Sequence, residues 1–321
     1  MCKSLWAGRE EIASCLPIFL QGSDNMLDLD NIFDIPREKI DFLIKIIQGK
    51  RNSVKKAGLY INEIVREDIF GILEYYCTVV FYPLPPEEEN DGFHITMPVD
   101  YKKEGEEEHF VFLNTAKPLE KQVFAAAHEL GHIWVDLDKF WDTILGKEFL
   151  RNHDNEEAVM NRFAAELLMP YSLFRQSADE RLRKFVKEDH GIYIDDAFRV
   201  IASLMDEFCV PAQAVICRFY ETGLMKKEIC KQLLAGPIGE ISVEKYRKYA
   251  DSLLEECIQE GSYTKLLKAT NKRGIKDFPE VLSAAEQKGV FSLERVAQLR
   301  EMLKIPKIEG LAELIDVGET E

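Results

Sequence analysis

Residues 119–135 read LEKQVFAAAHELGHIWV and follow a proline at position 118. Apolar side chains recur in this segment at steps of three and four residues, which is the period of one face of an α-helix. They are Leu119, Val123, Ala126, Ala127, Leu130, Ile133 and Trp134. A proline suits the first turn of a helix because its φ is already close to the helical value. The segment is therefore predicted to form one helix that runs to about Val135.

The middle of this predicted helix carries His128, Glu129 and His132 in the pattern His-Glu-x-x-His. Four residues turn a helix through about 400°, so both imidazoles project from one face and can bind a single metal ion. Glu129 lies about 100° around the helix, beside such an ion. A metal ion lowers the pKa of bound water, and a carboxylate accepts the proton. The pattern predicts metal-assisted hydrolysis, with both histidines as metal ligands and Glu129 as the catalytic residue that activates a zinc-bound water.

A second helix is predicted further along the chain, where residues 154–170 read DNEEAVMNRFAAELLMP. Acidic residues favour the first turn of a helix, and the proline after Met169 marks its end. We expect the helix to begin at Asn155 or Glu156. Small residues at Ala164 and Ala165 would let it approach the first helix closely.

This second helix is expected to complete the metal site. Catalytic zinc takes three protein ligands and leaves its fourth position to water, so two histidines are not sufficient. Glu157 is predicted to be the third ligand, because Asn161 lies four residues further on along the same helical face. In this interpretation Asn161 hydrogen-bonds a metal ligand. Glu156 remains the alternative third ligand.

The rest of the chain divides into helical and extended patterns. Apolar residues recur at helical steps from Ile35 to Tyr76. Three short runs rich in β-branched and aromatic residues then predict strands at Thr78–Tyr82, Phe93–Met97 and Phe110–Leu113. A small antiparallel sheet is their natural assembly, which gives an α+β fold class together with the helices. Nearly everything beyond Tyr171 is predicted to be helical.

Composition argues against several classes of function. The formal net charge of -16 would repel a phosphate backbone, so no direct nucleic-acid binding is expected. No run approaches the roughly 18 apolar residues of a membrane helix, and Arg9, Glu10 and Glu11 lie where a signal peptide would be apolar. The seven cysteines include no Cys-x-x-Cys pair. A cytoplasmic protein with reduced thiols and no membrane partner is expected.

The two helical motifs resemble the ImmA/IrrE family of metallopeptidases. The matching segments are FAAAHELGH at residues 124–132 and EAVMNRFAAELLMP at residues 157–170. The resemblance covers about Ile61 to Leu173, and residues 197–224 resemble the helix-turn-helix-like pair that follows in the family. Members often read Glu-x-Glu-Ala-Asn in the second motif. Here Val159 stands at the second of those Glu positions, and Glu157 occupies the first.

The resemblance implies a zincin-like metallopeptidase core, one Zn2+ per chain and an intracellular location. It also implies limited proteolysis of a partner protein, typically a helix-turn-helix transcriptional repressor of a phage, mobile element or stress operon. The expected organisation has four parts: residues 1–60 as an N-terminal helical extension, 61–175 as the core, 176–235 as the helical pair, and 240–321 as a C-terminal helical module. In such a core, a strand edge beside the metal helix can pair with an extended substrate, and Phe110–Leu113 is the expected strand.

Two other hypotheses compete with the peptidase. A zinc-stabilised module could sequester a repressor as a sensor without cutting it, although a purely structural site has no use for Glu129. A regulator that binds DNA through residues 200–224 is opposed by the net charge.

The sequence leaves open which residue stabilises the oxyanion of the transition state. Six side chains could supply a hydrogen-bond donor, and nothing in the sequence selects one of them. The candidates are His94, His109, His153, His190, Tyr101 and Tyr171.

Overall fold

The computed structural model describes ten helices and three strands. The described residues are 37–58, 63–85, 90–98, 107–137, 153–185, 191–236, 242–272, 274, 282–283, 286–287, 289 and 292–302. The strands are β1 Thr78–Tyr82, β2 Gly92–Pro98 and β3 Glu107–Asn114. The helices are α1 Arg37–Lys56, α2 Asp68–Tyr76, α3 Leu119–Leu137, α4 His153–Leu168, α5 Tyr171–Leu182, α6 Ile194–Phe208, α7 Ala212–Glu221, α8 Lys227–Ala235, α9 Val243–Glu260 and α10 Leu293–Met302. All three predicted strands and both helices of the motifs are therefore present.

The three strands form one mixed sheet in the order β1-β3-β2. β2 is antiparallel to β3, with Phe93 opposite Phe112, whereas β1 is parallel to β3, with Val79 opposite Val111. The prediction of an antiparallel sheet was therefore wrong for one of the two pairings. The chain crosses from β1 to the far edge of the sheet before it returns along β3. β3 is consequently the central strand, and the prediction that Phe110–Leu113 offers a free edge to a substrate was also wrong.

The two faces of the sheet are buried by different parts of the chain. Phe81, Val111 and Leu113 point into the main core, which also contains the apolar face of α3. Val80 and Phe112 point to the other side, where they pack against residues from the C-terminal part of the chain. Those residues are Leu282, Val296 and Leu299. The alternation follows from the two-residue period of a strand, and it places α3 against one face of the sheet.

Helices α3 and α4 pack closely because a glycine lies at their contact. A Cβ atom added to Gly131 would meet Cδ1 of Phe163 at 2.8 Å and Sδ of Met160 at 3.0 Å. These separations leave no room for a larger residue unless a fully buried ring moves. Helix α4 begins at His153, two residues before the earliest predicted start. The close approach brings the two predicted motifs side by side.

A buried set of charged residues joins α4 to α7, and we call it the Arg–Glu network: Arg162, Glu166, Arg218 and Glu221. Arg162 contacts Glu166 at 2.7 Å and Glu221 at 2.8 Å, and Arg218 contacts the same two carboxylates at 2.6 and 2.9 Å. The Arg218 side chain is fully buried and also donates a hydrogen bond to the carbonyl of Met169. Two positive and two negative charges therefore balance inside the core.

The turn before α3 is held by residues that follow α9. The backbone N–H of Leu119 donates to the carbonyl of Leu266 at 2.9 Å, and that of Asn271 donates to the carbonyl of Thr115 at 2.8 Å. The hydroxyl of Thr270 donates to the side-chain oxygen of Gln122 at 2.8 Å. The C-terminal part of the chain thus contacts the core directly, and the expected division into four parts stays a prediction.

Length and hydropathy decide whether any of the described helices could span a membrane. No single helix among them is long and apolar enough to cross a membrane. The pair α6 and α7, bent by 100° at the break between them, meets the criteria of length and composition only when the two helices are taken together.

Candidate metal centre

Three side chains from α3 and α4 converge on one point, and we call them the donor cluster: His128, His132 and Glu157. Nε2 of His128 lies 3.1 Å from a carboxylate oxygen of Glu157, and Nε2 of His132 lies 3.8 Å from the other oxygen. The two Nε2 atoms are 3.3 Å apart. Among the described residues this is the one group of three or more potential metal ligands whose atoms lie within 4.8 Å of one another.

The separation of four residues in the sequence explains the convergence on α3. His128 and His132 lie one turn apart on a single helical face. Helix α4 packs closely against α3 at Gly131, and it contributes Glu157 to the cluster. The histidines are largely buried, with side-chain exposures of 12% and 16%, whereas Glu157 is 46% exposed. The cluster is therefore largely buried on its histidine side and open to solvent at Glu157.

Asn161 fixes the orientation of one of the histidines. Its side-chain oxygen lies 2.9 Å from Nδ1 of His128, so the imidazole N–H at Nδ1 donates to the amide oxygen. In a neutral imidazole this leaves the lone pair on Nε2, the atom that faces His132 and Glu157. A partner on the far nitrogen is the usual support for a histidine that binds a metal ion. The structure thus brings Asn161 into contact with His128, and its part in metal binding stays a prediction.

Glu129 lies beside the donor cluster without joining it. Its side chain is 7% exposed, and burial raises its pKa, as does the nearby charge of Glu157, against the opposing influence of the two histidines. Burial by itself would lower the pKa of His128, but the hydrogen bond to Glu157 and the charge of Glu129 raise it overall. The site therefore brings two carboxylates and two imidazoles together, an environment that a cation would stabilise.

The side chain of Glu156, the alternative third ligand, lies outside the described residues. The choice of Glu157 over Glu156 as the third ligand therefore stays a prediction. Glu157 reaches both histidines with its two oxygens.

Two histidines that the sequence left undecided come together next to the cluster. Nε2 of His94 on β2 lies 2.9 Å from Nδ1 of His109 on β3. The ring of His94 also stacks against His132, with centroids 6.2 Å apart and planes inclined by 23°. Burial, with smaller contributions from His109 and His132, lowers the pKa of His94 to about 4. His94 is therefore a neutral group that lines one side of the site at neutral pH.

The other candidate donors are placed elsewhere or lie outside the described residues. Tyr171 is 49% exposed at the start of α5, where Arg175 donates a hydrogen bond to its hydroxyl. Tyr101, His190 and the side chain of His153 are outside the described residues. The pairing of Phe93–Met97 with Phe110–Leu113 was the signal that could have singled out His94 and His109, because a hairpin brings the two runs together.

Comparison with known families supports the same part of the chain. Residues 74–220 match the family model of a peptidase family described as the IrrE N-terminal-like domain. This segment is an IrrE N-terminal-like domain and belongs to that family. No curated protein and no solved structure matches the chain.

The IrrE N-terminal-like domain contains the whole sheet, the donor cluster and α5 to α7. The resemblance inferred from the two motifs is confirmed, and so is the α+β fold class. The matched segment begins at Glu74, later than the predicted start at Ile61, and continues through the helical pair to Tyr220. Residues 74–220 thus form a domain of a peptidase family, with a His-His-Glu group that can hold a metal ion.

Proposed function

We propose that the protein is a zinc-dependent endopeptidase that makes limited cuts in a partner protein. The observation that carries the proposal is the convergence of the donor cluster next to the buried carboxylate of Glu129. Metal ligands alone would serve a structural ion equally well. A buried acid beside them, outside the ligand set, is what hydrolysis requires.

Zinc is the metal that the donor set fits best. Ligands that bind a tetrahedral ion at about 2.0–2.2 Å lie roughly 3.3–3.5 Å from one another. The separations of 3.1, 3.3 and 3.8 Å in the donor cluster bracket this value. Two imidazoles and one carboxylate are also a ligand set of catalytic zinc sites, which leave the fourth position for water or substrate. When bound, zinc supplies a Lewis acid that polarises a carbonyl and lowers the pKa of water.

Glu129 is proposed to move the proton. Burial raises its pKa and makes the carboxylate a stronger base, and a positioned carboxylate of this kind can accept a proton and release it again. It would take a proton from the attacking water and deliver it to the leaving amine. Asn161 contributes indirectly, because its hydrogen bond keeps Nε2 of His128 turned towards the ligand position.

The outer edge of β2 is proposed to bind the substrate backbone. In the described part of the sheet β2 pairs with β3 alone, so it is an edge strand. It also carries His94, whose ring stacks on His132. An extended polypeptide added to this edge would pass the donor cluster and present its carbonyl groups there. This binding mode suits a protein substrate, because it relies on main-chain hydrogen bonds.

A transcriptional repressor is the proposed partner, and the cytoplasm is the proposed location. Both come from the family resemblance, in which the substrate is a helix-turn-helix repressor of a phage, mobile element or stress operon. The net charge of -16 supports action on a protein rather than directly on DNA.

The first experiment compares zinc content and cleavage in four proteins. They are the wild type, Glu129→Gln, Glu157→Ala and, as a matched control, Glu156→Ala. Zinc is measured by elemental analysis, and the substrates are a repressor from a neighbouring operon and a mixture of unstructured peptides. We expect about one zinc ion in the wild type, in Glu129→Gln and in Glu156→Ala, and loss of zinc in Glu157→Ala. Cleavage by Glu129→Gln should fall by about 100-fold or more, because general base catalysis contributes that much.

The opposite outcomes separate the alternatives. If the wild type binds zinc and cuts no substrate, the protein is a zinc-stabilised module that sequesters its partner. If Glu156→Ala loses zinc and Glu157→Ala keeps it, the third ligand has been assigned to the wrong residue. A different metal in the purified wild type would replace zinc while leaving the roles of the side chains unchanged.

A further inference from the structure

A pocket opens directly beside the candidate metal centre, between α4 and α7. Its volume is about 570 Å3, its open mouth included. The walls are mainly apolar and come from three helices and the turn before α7. The apolar wall residues are Phe124, Ala158, Ala165, Pro211, Ala214 and Cys217.

The wall of the pocket includes residues that adjoin the donor cluster. Asn161 lines it and accepts the hydrogen bond from His128. Ala158 follows Glu157 in the sequence, and Phe124 lies one helical turn before His128 on the same face of α3. A polypeptide bound across the centre would therefore have one of its side chains next to the mouth of this pocket.

The charged residues in the wall leave no free charge for a ligand. Arg162 and Glu221 both line the pocket, and they contact each other at 2.8 Å as members of the balanced Arg–Glu network. A charged side chain placed there would lose its water without gaining an opposite charge, which is strongly unfavourable. A neutral apolar side chain would gain from leaving water, in proportion to the area that it buries.

We propose that this pocket binds one side chain of the substrate, adjacent to the cleaved bond, and selects a neutral apolar side chain of the size of leucine, methionine or phenylalanine. The inference rests on the proposed peptidase function and adds the substrate preference of that site. Small side chains are disfavoured because they leave the pocket unfilled. Charged side chains are disfavoured because the charges in its wall are already paired.

The test fills the pocket from the side that is remote from the zinc ligands. In Ala214→Leu a larger side chain on α7 points into the pocket. Ala212→Leu, the matched control, makes the same change two residues earlier on the same helix, at a residue that does not line the pocket. Ala214→Val is a milder variant that keeps the test valid if the leucine variant folds poorly. Zinc content and thermal melting establish that each protein is folded and loaded.

The measurement is the cleavage profile on a peptide mixture in which every position around the cleaved bond is varied. The ratio of kcat/KM for leucine over alanine at the selected position is then determined with purified peptides. We expect this ratio to be at least about 10 in the wild type, because each methylene group in an apolar pocket contributes about 10-fold or more. In Ala214→Leu the ratio should fall by about 10-fold, and in Ala212→Leu it should stay at the wild-type value.

The possible results distinguish this inference from the function on which it rests. A wild type that cuts peptides with the same profile as Ala214→Leu and Ala214→Val would overturn the pocket assignment and leave the peptidase intact. A preference for charged or very small side chains in the wild type would overturn it as well. A zinc-loaded wild type that cuts no peptide would overturn the proposed function and the pocket assignment together.

Discussion

Helix α4 contributes to two clusters of largely buried ionisable side chains, the Arg–Glu network with α7 and the donor cluster with α3. The two clusters stabilise their carboxylates in different ways. In the Arg–Glu network each carboxylate faces two guanidinium groups at 2.6 to 2.9 Å. In the donor cluster, earlier along α4, Glu157 faces two imidazoles whose Nε2 atoms lie 3.3 Å apart. The first arrangement is complete within the described chain. The second gains stability when a cation occupies the point on which its atoms converge.

The difference shows how function can be recognised among buried charges. Burial alone would raise the pKa of Glu166, but the hydrogen bonds and charges of Arg218 and Arg162 lower it overall. Glu129 shows the opposite result, because burial raises its pKa and the histidines oppose that rise only in part. A buried acid that is held fully charged belongs to the structure of the core. A buried acid whose pKa is raised, beside a set of metal ligands, suits proton transfer.

The largest expected effect comes from breaking the Arg–Glu network. Arg218→Met keeps most of the apolar stem and removes the charge, which leaves two buried carboxylates to share one guanidinium. We expect the free energy of unfolding in urea to fall by about 3–5 kcal/mol. Zinc content per folded molecule should stay unchanged, because Arg218 does not contact the donor cluster.

Two control variants sharpen this prediction. Arg218→Met combined with Glu166→Gln restores the balance of charge and should be more stable than Arg218→Met alone. Arg199→Met removes an exposed ion pair with Asp196 and should leave the melting temperature nearly unchanged. If Arg199→Met and Arg218→Met were equally stable, the network would contribute no more than a surface pair.

The next effect comes from loosening the donor cluster without removing a ligand. Asn161→Ala leaves Nδ1 of His128 without its acceptor, so the imidazole is free to change its tautomer and its orientation. Zinc affinity, measured by competition with a chelator of known strength, should fall by about 10- to 100-fold. Asn161→Asp keeps an acceptor at the same position and should restore most of the affinity. Equal affinity in the wild type and in Asn161→Ala would show that the hydrogen bond plays no part in metal binding.

The smallest effect concerns a buried acid that belongs to neither cluster. Glu120 at the start of α3 is 4% exposed, and its Oε2 atom has no hydrogen-bond partner among the described residues. Burial raises its pKa from 4.5 to about 8. The folded state therefore binds the proton more tightly than the unfolded state, and this group makes the protein less stable as the pH rises from about 4.5 to about 8.

Glu120→Gln should remove this pH dependence. The variant is expected to gain roughly 1 kcal/mol in the free energy of unfolding at pH 8, because it no longer buries a charge without a partner. At pH 4.5 the stabilities of the variant and of the wild type should nearly coincide. Urea unfolding at both pH values measures the difference, and a variant that is less stable than the wild type at pH 8 would contradict the prediction.

Much of the candidate site was predictable because its signals are local. The spacing of His128 and His132 fixes their common face on any helix, and the position of Asn161 relative to Glu157 follows from the same period. The strand segments were predictable from their β-branched and aromatic residues. Their order was not, because nothing within Thr78–Tyr82 indicates that β3 would lie between β1 and β2. Because the strand order could not be read from the sequence, Phe110–Leu113 was wrongly predicted to form a free edge.

The sequence by itself determined the helices of the two motifs, the family and the set of side chains from which the donor cluster is drawn. Tertiary structure alone decided that His94 stacks on His132, that Arg162 and Arg218 share two carboxylates, and that a pocket opens beside Asn161. The physical reason is the distance along the chain over which each feature forms. Helical periodicity acts over a few residues, whereas strand order, buried ion pairs and pockets depend on contacts between segments many residues apart, which only the packing of the whole core selects.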